Sequence, residues 1–249
     1  MYDQTCFDVA ANPSDERSIS APRSTVLASK PRRMSFEELR AHVSVVRRKL
    51  VPGQALFRAG QPFKAIFLIH AGSVKTCELA EDGREQVTGF RMAGELIGVE
   101  SIGLSTYSCD VNALESCEVW ELPYPPVMTA CQRIPELHAL LTSALAEEIR
   151  RDRSWMLALG TLSAEQRVAA FVLDVGARNA ESGYSGDHFI LRMSRADMAS
   201  FLALKHETVS RALSHLAETN CIAVERREMR ILDRTRLRRN AGVGTHHVH

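Results

Sequence analysis

The stretch of sequence that decides the fold is SRADMASFLALKHETVSR, at Ser194–Arg211. Ser194 suits the N-cap of a helix, and Asp197 follows near the positive end of that helix. The next positions match a helix-turn-helix, which needs a small residue where two helices cross, another at the tight turn and an apolar residue that packs inward. These positions are Ala199, Ala203 and Val209. Glycine is commoner at the turn, so the alanine there departs from the pattern.

Further elements on both sides of this stretch complete a small domain. Ile222–Val224 and Met229–Ile231 alternate around a charged tip, which predicts a β-hairpin wing. Phe189–Met193 predicts a strand before the first helix, and Ser163–Asn179 predicts a further helix upstream. Three helices, a wing and a preceding strand together predict a winged helix-turn-helix.

The second helix of the motif carries the candidate DNA-binding residues. It presents Glu207, Ser210 and Arg211 on one face, at spacings of three and four. Arg211 can bond to guanine O6 and N7, Glu207 can accept from cytosine N4, and Ser210 can contact thymine. In an isolated helix the same residues would form a solvated face with an internal Glu–Arg pair, but within a winged helix we interpret them as base-reading. The full candidate set is Lys205, His206, Glu207, Thr208, Ser210 and Arg211.

Upstream, glycines at positions 53, 60, 72, 83 and 94 separate short apolar strands between Lys49 and Pro123. This pattern of short strands and glycine turns indicates an antiparallel sandwich or barrel, and Asp82-Gly83 is a hairpin-turn signal. A long helix is predicted from Pro135 to Leu159. Its apolar stripe is too long for a small sandwich to bury, so we expect it to pack against its own copy around a two-fold axis. A helix that lies on the sandwich is the alternative. The stripe consists of Leu141, Leu145, Ile149, Asp152, Met156 and Leu159.

Composition bounds the class of protein. The 249 residues are 45% hydrophobic and 24% charged, which excludes a wholly disordered chain. The net charge of +1 conceals an asymmetry, because residues 189–240 carry +5 and the remainder −4. That excess suits a domain that meets phosphates. The longest apolar run, Val168–Leu173, is too short to span a membrane, and no secretory signal is visible, so we expect a cytoplasmic protein with no membrane partner. Its six cysteines should be reduced, and they lack zinc-type spacing, so no metal site is expected.

These motifs resemble the Crp/Fnr family of bacterial transcription regulators over roughly residues 40 to 235. Lys49–Gly60, Glu85–Phe90, Ala93–Gly98 and Ala113–Glu115 are similar to the Fnr branch, and Glu207–Arg211 fits its E-x-x-S-R pattern. The resemblance implies an α+β fold with an N-terminal antiparallel β-roll (a cyclic-nucleotide-binding-like jelly roll), a long dimerisation helix and a C-terminal winged helix-turn-helix. We place a disordered tail at 1–34, the roll at 35–134, the dimerisation helix at 135–160, the DNA-binding domain at 161–240 and a flexible tail at 241–249.

The resemblance also implies a function. It implies a homodimer that binds a TTGAT-N4-ATCAA-like palindrome on double-stranded DNA and acts as an activator in oxygen- or redox-linked control. RNA polymerase is then a partner, and the candidate contact loop comprises Asp82, Gly83, Arg84 and Glu85. The family consists of regulators, not enzymes. A cupin-type enzyme would need several metal-binding histidines, whereas residues 50–123 contain only His70. Asp152 would approach its symmetry mate in the dimer, where like charges repel, so we expect it to weaken association.

The signal is the open question at this stage. Cyclic-nucleotide binders of the family hold the phosphate with an Arg-Ser pair, but the matching position here reads Tyr107-Ser108. The standard [4Fe–4S] cluster needs three N-terminal cysteines, of which this chain has only Cys6, and Trp120 stands at the roll position of the fourth. We therefore expect no cofactor. Three alternatives remain for control of the protein. They are control through its synthesis, control through a thiol such as Cys109, Cys117 or Cys131, and control through haem, nitric oxide or a small ligand in the roll.

Overall fold

The computed structural model describes residues 37, 40–79 and 83–242. The predicted tail at 1–34 and residues 243–249 lie outside them. The predicted C-terminal boundary of the DNA-binding domain, at residue 240, needs correction. Ala241, which we placed in the flexible tail, is fully buried in the C-terminal core, so the folded domain continues beyond residue 240.

Two four-stranded antiparallel sheets form the N-terminal part of the chain. The first has the order β1-β8-β3-β6 and the second β2-β7-β4-β5. The strands are β1 (Val46–Leu50), β2 (Ala55–Phe57), β3 (Ala65–Ala71), β4 (Ser73–Leu79), β5 (Glu85–Met92), β6 (Leu96–Ile97), β7 (Asp110–Ala113) and β8 (Cys117–Pro123). The glycine-punctuated strands of the sequence are thus confirmed as a β-roll.

Alternation along the strands divides the roll into layers. On β8, Cys117 and Val119 point into a core between the two sheets, whereas Trp120 and Leu122 point to the opposite face of the first sheet. Helix α1 (Tyr124–Cys131) and the start of helix α2 (Pro135–Thr161) cover that opposite face. Because side chains alternate with period two, a single strand serves both layers.

Helices make up most of the remainder. They are α2 (Pro135–Thr161), α3 (Ala164–Glu181), α4 (Arg195–Phe201), α5 (His206–Glu218) and α6 (Arg234–Asn240). A capping box starts α3, since the Ser163 hydroxyl accepts from the Gln166 amide while the Gln166 side chain accepts from the Ser163 amide. The predicted long helix is confirmed, and it extends two residues beyond Leu159.

The C-terminal domain is a winged helix with a three-stranded sheet in the order β10-β11-β9. Its strands are β9 (His188–Ile190), β10 (Ile222–Glu225) and β11 (Glu228–Ile231). The predicted strand at Phe189–Met193 is therefore shorter at its C-terminal end. None of the helices among the described residues is long and apolar enough to span a membrane.

Candidate nucleic-acid interface

Helix α5 is amphipathic and presents one polar face to solvent. Its apolar residues Val209, Leu213 and Leu216 are buried in the domain core. On the opposite side Glu207 and Arg211 are exposed and Ser210 is half-buried, so the structure brings the predicted base-reading trio onto one face. Of the other candidates, Lys205 and His206 are exposed at the start of the helix and Thr208 is half-buried.

The side chain of Arg211 is available to a ligand. Its Nε lies 3.5 Å from the backbone oxygen of Glu207, which is a long contact within the helix. No carboxylate of the described residues forms an ion pair with Arg211, so the internal Glu–Arg pair of the alternative interpretation is not formed there. The guanidinium is therefore held only loosely by its own helix.

The turn before α5 has the geometry that the sequence predicts. Ala199 is 5% exposed at the crossing of α4 and α5, and Val209 is fully buried. Ala203 has φ +52°, the left-handed conformation in which glycine is favoured. At the start of α4, the Ser194 hydroxyl accepts from the Asp197 amide at 3.0 Å, and the Asp197 carboxylate accepts from the Ser194 amide at 2.9 Å. The predicted cap is therefore a reciprocal capping box.

The wing adds two cations that our candidate set omitted. Arg226 and Arg227 form the exposed two-residue tip between β10 and β11. Glu225 and Glu228 lie opposite each other in the strand register at the base of this tip. Exposed arginines beside a reading helix are suited to phosphate contacts, which position a protein on DNA without reading sequence. Two consecutive arginines at a predicted hairpin tip were the signal for this role.

The predicted dimer stripe is only partly available on α2. Ile149 and Met156 are 52% and 72% exposed, Asp152 is exposed between them, and Leu145 and Leu159 are half-buried. Leu141 needs correction, because it is 6% exposed and packs with α1 and β8 inside the same chain. Leu157, which the prediction missed, is 66% exposed and adds to the apolar surface.

The candidate polymerase loop lies at the tip of the β4–β5 hairpin. Asp82 falls outside the described residues. Gly83, Arg84 and Glu85 are exposed, and Glu85 accepts from Lys75 Nζ at 3.0 Å. At the other end of the β4–β5 hairpin, Phe90 is buried, so the tip is the end of the hairpin that is exposed to a partner.

The position that carries a phosphate-binding arginine in cyclic-nucleotide binders is filled here by an aromatic core. Tyr107 stacks on Phe57 with 3.8 Å between ring centroids and lies edge-on to Phe63 at 5.4 Å. Its hydroxyl donates to the Ala65 carbonyl at 2.8 Å. This buried, neutral ring offers no charge to a phosphate, so the residues present do not fit a cyclic nucleotide.

Glu95, which follows the glycine of the family's Gly-Glu loop, is paired within the chain. Arg178 of α3 donates to both of its carboxylate oxygens, at 3.1 and 2.8 Å, and Arg151 of α2 donates to one at 3.1 Å. Burial alone would raise the pKa of Glu95, but Arg178, Arg151 and Arg91 hold it below the ordinary value. The carboxylate is thus ionised and already occupied.

The thiols of the roll are enclosed and protonated. Burial raises the pKa of Cys77 to about 12, and it also raises the pKa values of Cys109, Cys117 and Cys131. Because the thiolate is the reactive form of cysteine, burial makes these four side chains less nucleophilic than exposed thiols. At the roll position of the fourth cluster ligand, Trp120 stacks on His70 at 4.5 Å. The residues present do not fit the standard cluster.

A cleft of about 370 Å³ lies between the roll and the start of α4. Most of its basic side chains are held by carboxylates: Arg58 by Asp110, Lys75 by Glu85 and Asp197, and Arg192 by Glu115. Its charge is therefore nearly balanced, and we assign it no anionic ligand.

Two family models match the chain in the regions just described. The cyclic nucleotide-binding domain matches residues 47–133, and the Crp-like helix-turn-helix domain matches residues 166–240. The first match coincides with the roll, and the second contains the helices and the wing of the C-terminal domain.

Relatives share this arrangement over most of their length. The chain is 34% identical over 214 residues to the transcriptional activator protein anr of Pseudomonas aeruginosa, a match that covers 85% of this chain and 88% of the relative. It is 32% identical over 214 residues to the fumarate and nitrate reduction regulatory protein of Escherichia coli, covering 85% and 86%. The structure of FixK2 from Bradyrhizobium japonicum superposes with a TM-score of 0.72 at 26% identity, covering 79% of this chain and 97% of that one. With its roll, its long helix and its winged helix-turn-helix, the chain belongs to the Crp/Fnr family of DNA-binding transcription regulators, which are not enzymes.

Proposed function

We propose that this protein is a sequence-specific transcription activator that binds a TTGAT-N4-ATCAA-like palindrome as a homodimer. The observation that carries the proposal is the free polar face of α5, with Glu207, Ser210 and Arg211 displayed above a buried apolar side. Recognition helices of this kind read base edges from the major groove, and a two-fold dimer reads two half-sites. Such a target places the protein with the chromosome, in the cytoplasm.

The exposed part of α2 supports the homodimer. Ile149, Met156 and Leu157 are large apolar side chains exposed on one long helix, and contiguous exposed apolar residues commonly mark an interaction surface. A second copy around a two-fold axis would bury them and place the two α5 helices in symmetric positions. Asp152 lies within the same surface, and its repulsion of its own copy would keep the dimer weaker than an all-apolar seam.

The proposal of activation draws on the relatives. The Pseudomonas relative is a transcriptional activator protein, and the Escherichia relative is a fumarate and nitrate reduction regulatory protein. We extend to this chain RNA polymerase as a partner, with the exposed tip Gly83–Glu85 as a contact, and a place in oxygen- or redox-linked control.

We further propose that binding needs neither a cyclic nucleotide nor an iron–sulfur cluster. Tyr107 fills the roll, Glu95 is paired by two arginines, and the roll thiols have raised pKa values. These features favour control through the amount of protein over control through a bound effector or a thiol.

A binding assay tests the proposal directly. Protein purified under anaerobic conditions is titrated, at a stated salt concentration, into a TTGAT-N4-ATCAA duplex and into a scrambled duplex of equal length. We expect specific binding roughly 10³-fold or more tighter than scrambled binding. An absorbance spectrum and an iron assay on the same sample should show a colourless, iron-free protein. Equal affinity for the two duplexes would reject sequence-specific reading, and a stoichiometric chromophore would reject effector-free control.

A further inference from the structure

The β4–β5 hairpin of the roll is part of the DNA-binding domain's core. Cys77, Val87 and Phe90 belong to the same buried cluster as α3, α4 and α5. The Phe90 ring lies 5.4 Å from Phe201 of α4, and Phe201 lies 4.8 Å from Trp155 of α2. Three parts of the chain, the roll, the long helix and the helix-turn-helix, therefore meet in one aromatic cluster.

An ion-pair network beside this cluster joins the same three parts. Arg178 of α3 is 9% exposed, and besides its two bonds to Glu95 it donates to the Phe90 carbonyl at 2.6 Å. Arg151 brings α2 to the same carboxylate, and Glu148 of α2 pairs with Arg91 of β5. Among the described residues, no buried side-chain nitrogen or oxygen lacks a partner. The network is thus complete without a ligand.

A second connection holds the first helix of the motif onto the roll. Lys75 Nζ donates to Asp197 at 2.9 Å, and the Val87 amide donates to the Ser200 hydroxyl at 2.9 Å. The Gln86 side chain also donates to the Ser200 carbonyl. Rotation of α4 relative to the β4–β5 hairpin would break all of these contacts together.

Such rigidity has a consequence for a dimer on DNA. One base pair added between two half-sites moves the second site by about 3.4 Å and turns it by about 35°, since a turn of 10–10.5 base pairs spans 34–36 Å. A dimer whose two DNA-binding domains (its reading heads) are held rigidly against the rolls cannot follow that change. A dimer with loosened heads could follow it and would accept several spacings.

We propose that Arg178 is a positioning residue that determines which spacing between half-sites the dimer accepts. The inference rests on the proposed dimeric reading of a palindrome. Arg178 touches no DNA in this role; it fixes the reading head relative to α2, along which the dimer axis would run.

The test measures spacing selectivity separately from affinity. Wild type, Arg178→Met and Arg178→Lys are titrated into palindromes with spacers of three, four and five base pairs and into a single half-site. Arg234→Met is the matched control, because Arg234 pairs with Asp187 inside the DNA-binding domain, away from the roll. Thermal unfolding is recorded for every variant.

In wild type we expect the gain from engaging both half-sites, about 10²–10⁴-fold, on one spacer only. Arg178→Met should keep half-site affinity within about twofold while the ratio between the best spacer and its neighbours falls at least about tenfold. Arg178→Lys, which retains a charge for Glu95, should recover most of that ratio, and Arg234→Met should leave it unchanged.

Other outcomes separate the possible failures. An unchanged spacer ratio in a folded Arg178→Met protein would overturn the inference, as would an equal loss of affinity for every duplex, which indicates a merely structural role. If Arg178→Met does not fold, Lys75→Met removes the ion pair of the second connection. That variant must then lower the same ratio, or the inference is rejected. A wild-type protein that binds none of the palindromes would overturn the proposed function, and the inference with it.

Discussion

Replacing Arg211 by alanine tests the proposed base-reading face of α5 at its exposed arginine. Among the residues that the structure describes, Arg211 forms only the 3.5 Å contact to its own helix, so its removal should leave the free energy of unfolding almost unchanged. The whole effect should then fall on DNA. A bidentate contact to guanine contributes about 1–3 kcal/mol of discrimination, and a dimer makes it twice, so the loss should be about 2–6 kcal/mol. That corresponds to roughly 30-fold to 2 × 10⁴-fold in affinity.

The assay combines the protein variant with a DNA variant. Wild type and Arg211→Ala are titrated into the TTGAT palindrome and into one whose guanine is replaced in both half-sites. Wild type should lose affinity on the substituted DNA, whereas the variant should bind both duplexes alike. The salt dependence of Arg211→Ala should stay close to that of wild type, since a contact to a base does not release a phosphate counterion as a phosphate contact does. A variant that still discriminates the guanine, or a wild type that never did, would refute the assignment.

Three further predictions concern the turn, the dimer and pH. Ala203→Gly should stabilise the protein by about 1 kcal/mol, because φ +52° is strained for alanine. Ala177→Gly, on the exposed face of α3, should destabilise it by about as much. Urea unfolding measures both free energies, and a loss of stability in Ala203→Gly would contradict the reasoning. Met156→Glu should weaken self-association and Asp152→Ala should strengthen it, as measured by analytical ultracentrifugation, and an unchanged dimer constant for Asp152→Ala rejects its proposed role. Although burial raises the pKa of Asp197, its bonds to neighbouring donors lower it below the ordinary value, so its stabilising effect should be present above about pH 4 and disappear as pH falls through the folded pKa. Asp197→Asn should therefore show a flatter stability curve in acid, and a curve identical to that of wild type would argue against the ion pair.

The features that the sequence predicted correctly are those governed by near neighbours. The spacing of Ala199, Ala203 and Val209 is set by the geometry of two adjacent helices, and the N-cap at Ser194 by the first turn that follows it. The strands of the roll could be located because their glycine turns and alternation are equally local. The exposed trio on α5 follows from helical periodicity within five residues.

The features that could not be predicted depend on contacts between distant parts of the chain. Helical periodicity predicts a continuous stripe on α2, but Leu141 packs against α1 and β8, which cover the first turns of the helix. Asp197 looked like a capping residue alone, whereas it also pairs with Lys75, 122 positions earlier. Likewise nothing near Glu95 in sequence indicates that Arg178 is its partner. Periodicity describes a surface, but it does not identify what covers that surface.

The aromatic cluster around Phe90 and Phe201 has a consequence for module exchange. The two family models divide the chain into separate segments, 47–133 and 166–240. The packing draws a different border, because the β4–β5 hairpin is shared by both. In a chimera with the roll of one regulator and the DNA-binding domain of another, the contacts between these two parts would be mismatched. They would be preserved only if Phe90, Glu95 and their partners came from the same parent. The unit that can be exchanged intact is therefore larger than either segment.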